Sequence, residues 1–166
     1  MINKFALIIA GIVAIMTVLI AVPRTGIQPG VQEADLTIEY SRQDFIRLED
    51  GRLNAIHIDD LVISNDRSAT YRNLTGGFDT KHFTLSSEEL GGLKRLIFET
   101  GFMQLPGDDY SEMEGLDSFT RYRLILSSGE NSKTITWVNL ESSAEAVPSI
   151  VRNIGTQLDQ IIERNL

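Results

Sequence analysis

Phe5 to Val22 is an unbroken run of 18 uncharged residues, opened by Lys4 and closed by Pro23-Arg24. No other feature constrains the chain as strongly. A helix rises about 1.5 Å per residue, so such a run reaches about 27 Å, close to the thickness of a hydrocarbon core. Gly11 and Thr17 interrupt it, and membrane helices tolerate both. The sequence therefore predicts a transmembrane signal anchor over residues 1–24. The rival reading is a cleaved signal peptide and a secreted product. Such peptides have an apolar core of about 7–15 residues and end in a small-x-small site. Here the end reads Leu19-Ile20-Ala21-Val22-Pro23, without an Ala-x-Ala.

Lys4 and the amino terminus lie on the short side of the run, and the chain beyond Arg24 turns acidic at Glu33 and Asp35. The positive-inside rule then places the N-terminus in the cytoplasm and the rest of the chain outside. There is no cysteine, so an extracytoplasmic domain would rely on its core and not on disulfides. That usage also points to a prokaryotic source.

Thr25 to Ala34 reads as a linker, punctuated by Gly26, Pro29 and Gly30 and lacking periodicity. Residues 35–166 are long enough for one domain with a real core. Lys4 and Arg24 are two of the chain's 15 basic residues, so 13 remain after them against 23 acidic ones. A surface this acidic repels nucleic acid and anionic headgroups.

Leu36, Ile38 and Tyr40 alternate with polar residues, which is strand spacing with one buried face. Glu49-Asp50-Gly51 reads as a turn, Ala55–Ile58 as an extra strand, and Leu61–Ile63 with Ala69–Arg72 as a hairpin. Thr80–Leu85 is a further strand. Ser86 and Glu89 have capping-box spacing ahead of Leu90, Leu93, Leu96 and Ile97, and Gly101 ends that helix. Gly91-Gly92 in its middle costs about 1 kcal/mol each relative to alanine, and close packing of the helix backbone on the sheet is the expected compensation. Thr120, Tyr122, Leu124 and Leu126 face the core opposite Ile135 and Trp137, across a turn at residues 128–131. Pro148 opens a last helix striped by Val147, Ile150, Val151, Ile154, Leu158, Ile161 and Ile162. The expected architecture is an α+β fold: an antiparallel β-sheet with two helices packed on one face, preceded by a single transmembrane helix.

Candidate sites are few. His57 and His82 lack metal-ligand neighbours at helical or loop spacing, there is no Gly-x-Ser-x-Gly, and there is no thiol nucleophile. No cofactor motif is present. Residues 108–117 carry five carboxylates, Asp108, Asp109, Glu112, Glu114 and Asp117. Alternating carboxylates can wrap Ca²⁺, but Tyr110 at the third place and a late glycine break the EF-hand pattern. The run therefore reads as a solvated or partner-contact loop. Asn73-Leu74-Thr75 is a glycosylation triplet, with Asn73 as acceptor if the domain faces outside. The sheet face away from the helices should present Arg121, Arg123, Thr134, Thr136 and Val138. An uncovered antiparallel face can stay solvated or dock a partner.

Several stretches carry a resemblance. They are residues 85–90 leading into the first helix, Gly101-Phe102-Met103-Gln104-Leu105-Pro106 after it, and Ser118–Leu126 followed by Thr134-Ile135-Thr136-Trp137. From about Asp35 onward the chain resembles a family of small bacterial and archaeal domains that includes emfourin, an inhibitor of thermolysin-like metalloproteases. The resemblance rests on core and turn positions and implies a fold. The inhibitors are glycine-rich after their first strand, where this chain has Ser41-Arg42-Gln43-Asp44-Phe45, and no inhibitory residue carries over.

The expectation is a membrane-anchored, non-catalytic domain that binds a protein partner through Arg121, Arg123, Thr134 and Thr136 or through Asp108, Asp109, Glu112 and Glu114. The alternatives are a tethered or secreted inhibitor of a thermolysin-like metalloprotease, and a carboxylate-based hydrolase or Ca-binding domain.

Overall fold

β1 (Leu36–Arg47) is a 12-residue strand whose first half alternates apolar and polar residues and whose second half begins Arg42-Gln43-Asp44 before Phe45 and Ile46. It pairs antiparallel on both sides, with β2 (Leu53–Ser64) and with β6 (Ser118–Ser128). β3 (Ser68–Asn73), β4 (Asp79–Thr84), β5 (Asp109–Tyr110) and β7 (Asn131–Val138) complete a seven-stranded sheet in the order β4-β3-β2-β1-β6-β7-β5. Among the described residues, two helices, α1 (Ser87–Glu99) and α2 (Ser149–Asn165), and a 3-10 turn at Phe102–Gln104 complete the elements. The computed structural model describes residues 36–77 and 79–166, so the expected anchor over residues 1–24 and the linker lie outside the described residues.

The expected architecture is corrected. The sheet is mixed, because β5 runs parallel to β7 with Asp109 opposite Thr136 and Tyr110 opposite Trp137. Among the described residues strand dominates at 45%, against two helices. Among the described residues no helix is long and apolar enough to cross a membrane. The parallel strand escapes sequence reading for a physical reason. Two residues are too few to show alternation, and they lie inside an acidic run that reads as solvated.

Strand parity places the core. Leu36, Ile38 and Tyr40 share a face with Leu61 and Ile63, with Ala69 and Tyr71, and with Leu124, Leu126, Ile135 and Trp137. These residues are buried against Leu90, Leu93 and Ile97 of α1 and Val151, Ile154, Leu158, Ile161 and Ile162 of α2. Burying a side chain of this kind contributes about 1.5–3 kcal/mol. Ser86 caps α1 in a full capping box with Glu89, and Gly101 takes the left-handed conformation at φ 78° just past its end. The glycine pair is corrected: a β-carbon at Gly91 or Gly92 would meet nothing within 4 Å. No close backbone packing offsets their cost.

β1 and β2 run further than their apolar alternation suggests. Their register slips between Asp44 and Phe45, so Ile56 is an extra residue on β2. A bulge of this kind bends the strand and increases its twist.

Candidate functional site

Arg121, Arg123, Thr134 and Thr136 lie on the helix-free face of β6 and β7, opposite in parity to the core residues Leu124, Ile135 and Trp137. With Ser41 and Gln43 they line a shallow groove of about 310 Å³. Arg121 is already occupied. Its guanidinium lies 5.0 Å and 5.4 Å from the ring centres of Phe45 and Phe119, and it holds Glu112 at 3.1 Å. A cation over two rings and paired to a carboxylate is a structural clasp. Arg123 stays exposed.

The acidic run 108–117 is laced into the fold. Asp108 pairs with Lys133. Tyr110 is buried, the Met113 N–H donates to Ser142 O, and the Arg47 N–H donates to Asp117 O. Burial pushes the Glu112 carboxyl up, but backbone N–H donation and Arg121 outweigh it and hold the group below its ordinary value. Asp109 and Glu114 remain exposed. Among the described residues no three His, Asp or Glu side chains converge to hold a metal ion. Asn73 ends β3. Its amide donates to Asp59 Oδ1 at 3.2 Å and its carbonyl accepts from the Thr75 N–H at 2.8 Å.

A second group, missed in the sequence, lies on the helix side beyond the apolar core. Asp59 is 1% exposed, the one carboxylate among the buried residues described. Oδ2 accepts from Arg42 Nη2 at 2.7 Å and lies 2.8 Å from His57 Nε2. Oδ1 accepts from Tyr71 Oη at 2.6 Å and from the Asn73 amide. Burial alone would raise the pKa of Asp59, but these donors outweigh it and hold the carboxyl below its ordinary range. Every lone-pair direction has a partner, which is how a buried charge is tolerated.

Arg42 also reaches Asp159 of α2, at 3.6 Å, and the Tyr40 hydroxyl donates to the same oxygen at 2.9 Å. Burial holds the Asp159 pKa above its ordinary value, and Glu163 and Asp59 add to that against the opposing pull of Tyr40 and Arg42. Burial also raises the Tyr40 and Tyr122 hydroxyls, with the Asp159 charge adding to both.

Asp159 stands at a cleft of about 350 Å³ between α2 and the sheet. Three cross-strand neighbours, Tyr40, Tyr122 and Trp137, contribute aromatic rings to its wall. The Tyr122 and Trp137 rings stack at 5.3 Å and 15°, and those of Tyr40 and Tyr122 at 6.3 Å and 15°. Arg152, Gly155, Thr156 and Asp159 recur at i, i+3, i+4 and i+7 and form the helical wall. The segment Asn139–Glu141, just after β7, also lines the cleft, with Leu140 57% exposed at its edge.

Parity could have found both groups. Arg42 and Asp44 continue the core-facing series of Leu36, Ile38 and Tyr40, and Asp59 and His57 continue that of Ile63 and Leu61. Polar residues at core-facing positions are the signal. No protein-family model matches the chain, and no curated protein shows significant similarity to it.

Proposed function

We propose that the domain is a non-catalytic binding module that takes a group of a protein partner into the cleft between α2 and the sheet. The observation that carries this reading is the cleft itself. It is concave, lined by Tyr122 over the buried rings of Tyr40 and Trp137, and has a carboxylate of altered proton affinity at one end. Such a combination of apolar wall and few convergent polar groups is the usual form of a binding site. The absence of catalysis is supported by Asp59, whose oxygens are all engaged by Arg42, His57, Tyr71 and Asn73. The apolar run Phe5–Val22 supports a place at the outer face of a membrane.

A blocking experiment tests the reading. The chain has no cysteine, so Thr156→Cys can be capped with a bulky maleimide at one position only. Capped Thr156→Cys should fail to retain the partner that the wild type retains in detergent extracts of the native membrane. Capped Arg123→Cys, on the other face, should retain it. Loss with Arg123→Cys alone would move the contact to the sheet face. A thermolysin-like protease as the retained partner would make inhibition the consequence of binding.

A further inference from the structure

Charge balance at the cleft is uneven. One guanidinium, Arg42, serves two carboxylates and lies closer to Asp59, at 2.7 Å, than to Asp159, at 3.6 Å. His57 also goes to Asp59. Asp159 is left with the Tyr40 hydroxyl and the more distant guanidinium, and its side chain is 26% exposed. Among the other lining residues Glu141 and Arg152 carry opposite charges. Apart from His57, one guanidinium therefore faces two carboxylates, one positive charge short of balance, beside the aromatic rings.

We propose that the cleft binds an organic cation, an ammonium group on an apolar stem, seated against the partly exposed Tyr122 ring, which stacks on the buried Trp137, with its charge toward Asp159. Aromatic faces attract cations electrostatically within about 6 Å of the ring centre, and the attraction grows as water is excluded. A carboxylate in a partly buried site adds a charge-assisted hydrogen bond to the ammonium. The proposal names the class of group that the cleft reading above requires, and it rests on that reading. A free amine and a lysine side chain of a protein share this chemistry.

Trp137 is the chain's sole tryptophan and lines the cleft, so its emission reports on occupancy directly. Benzylamine, benzyl alcohol and benzoate differ in charge at nearly constant shape. Titrated into the full chain in detergent, benzylamine should change Trp137 emission saturably. Benzyl alcohol should bind about tenfold more weakly, as loss of one such charge interaction implies, and benzoate not at all. Asp159→Asn should abolish the preference for the amine, Tyr122→Leu should weaken benzylamine, and Glu39→Gln on the opposite face should leave it unchanged. A blocked peptide with one internal lysine gives the second arm. Tighter binding of the peptide than of benzylamine assigns the cation to a protein, and the reverse assigns it to a free amine.

Equal binding of benzyl alcohol, or an unchanged preference in a folded Asp159→Asn variant, overturns the cation assignment and leaves the cleft as a binding site. Absence of any saturable change also overturns it. The capped Thr156→Cys experiment judges the cleft itself separately.

Discussion

Gly155 of α2 lies directly against Trp137: a β-carbon at residue 155 would stand 2.8 Å from Trp137 Cζ2. The glycine lets the helix backbone approach the indole, and the same approach sets the depth of the cleft that both residues line. Gly155→Ala must push the helix or the ring aside. Overpacking of this kind costs about 1–3 kcal/mol even though alanine is the better helix former. Urea unfolding followed by Trp137 emission should show a lower midpoint and an altered native spectrum.

Gly91 and Gly92 of α1 present the opposite case. Neither would bring a β-carbon within 4 Å of another group. Gly91→Ala and Gly92→Ala should each stabilise the domain by about 1 kcal/mol, through helix propensity alone. Thermal unfolding should show an upward shift that is close to additive for the double variant.

Asp59 anchors β2 to β1 and β3 through Arg42, Tyr71 and Asn73. Asp59→Ala would leave the buried Tyr71 phenol without its acceptor and the partly buried Arg42 guanidinium with only Asp159, at 3.6 Å. Breaking one side of such a pair costs about 3 kcal/mol. Asp59→Asn should cost less, because its carbonyl keeps one acceptor. Chemical denaturation of both variants at neutral pH checks the order.

The two carboxylates of this network should act oppositely with pH. Asp59 has a depressed pKa, so its contribution is present above the ordinary carboxylate value and is lost as pH falls through its folded value. Asp159 has a raised pKa, so the folded state holds its proton longer than the unfolded chain does. Stability therefore falls as pH rises from the ordinary carboxylate value through the raised one. The groups facing Asp159 are Tyr40 and Arg42 of β1, Asp59 of β2, Tyr122 of β6 and its helical neighbour Glu163. Asp159→Asn should be more stable than wild type at pH 7, and the gap should close as pH drops toward the ordinary carboxylate range. A wild-type advantage at pH 7 would show that the Arg42 pairing outweighs the burial of Asp159.

How much of this was legible in the sequence depends on what each residue shares with its neighbours. The helices were readable because caps and stripes are local: Ser86 with Glu89, and Val151 through Ile162, declare themselves within a few turns. The inner faces of β6 and β7 were readable from alternation, as Leu124, Leu126, Ile135 and Trp137 show. β5 was not, because its two residues join the sheet only through pairing with Thr136 and Trp137, 27 positions away. The outer half of the β1–β2 hairpin was hard to read because polar residues replace apolar ones on the core-facing parity, and a bulge at Ile56 then shifts the phase. The same substitutions make the Asp59 network. Asp159 reads locally as a polar residue beside an apolar stripe, and only the pairing of β1 with β6 and of β6 with β7 brings Tyr40, Tyr122 and Trp137 to it.

The most direct test is site-specific photocross-linking of the full-length protein in its native cells. One photoreactive residue would replace Leu140 at the cleft mouth, and another, in a separate protein, would replace Thr134 on the helix-free sheet face. One cross-linked protein is expected from position 140, suppressed by an excess of benzylamine, and none from position 134. A product from position 134 with none from 140 would contradict the cleft reading and return the contact to the sheet face.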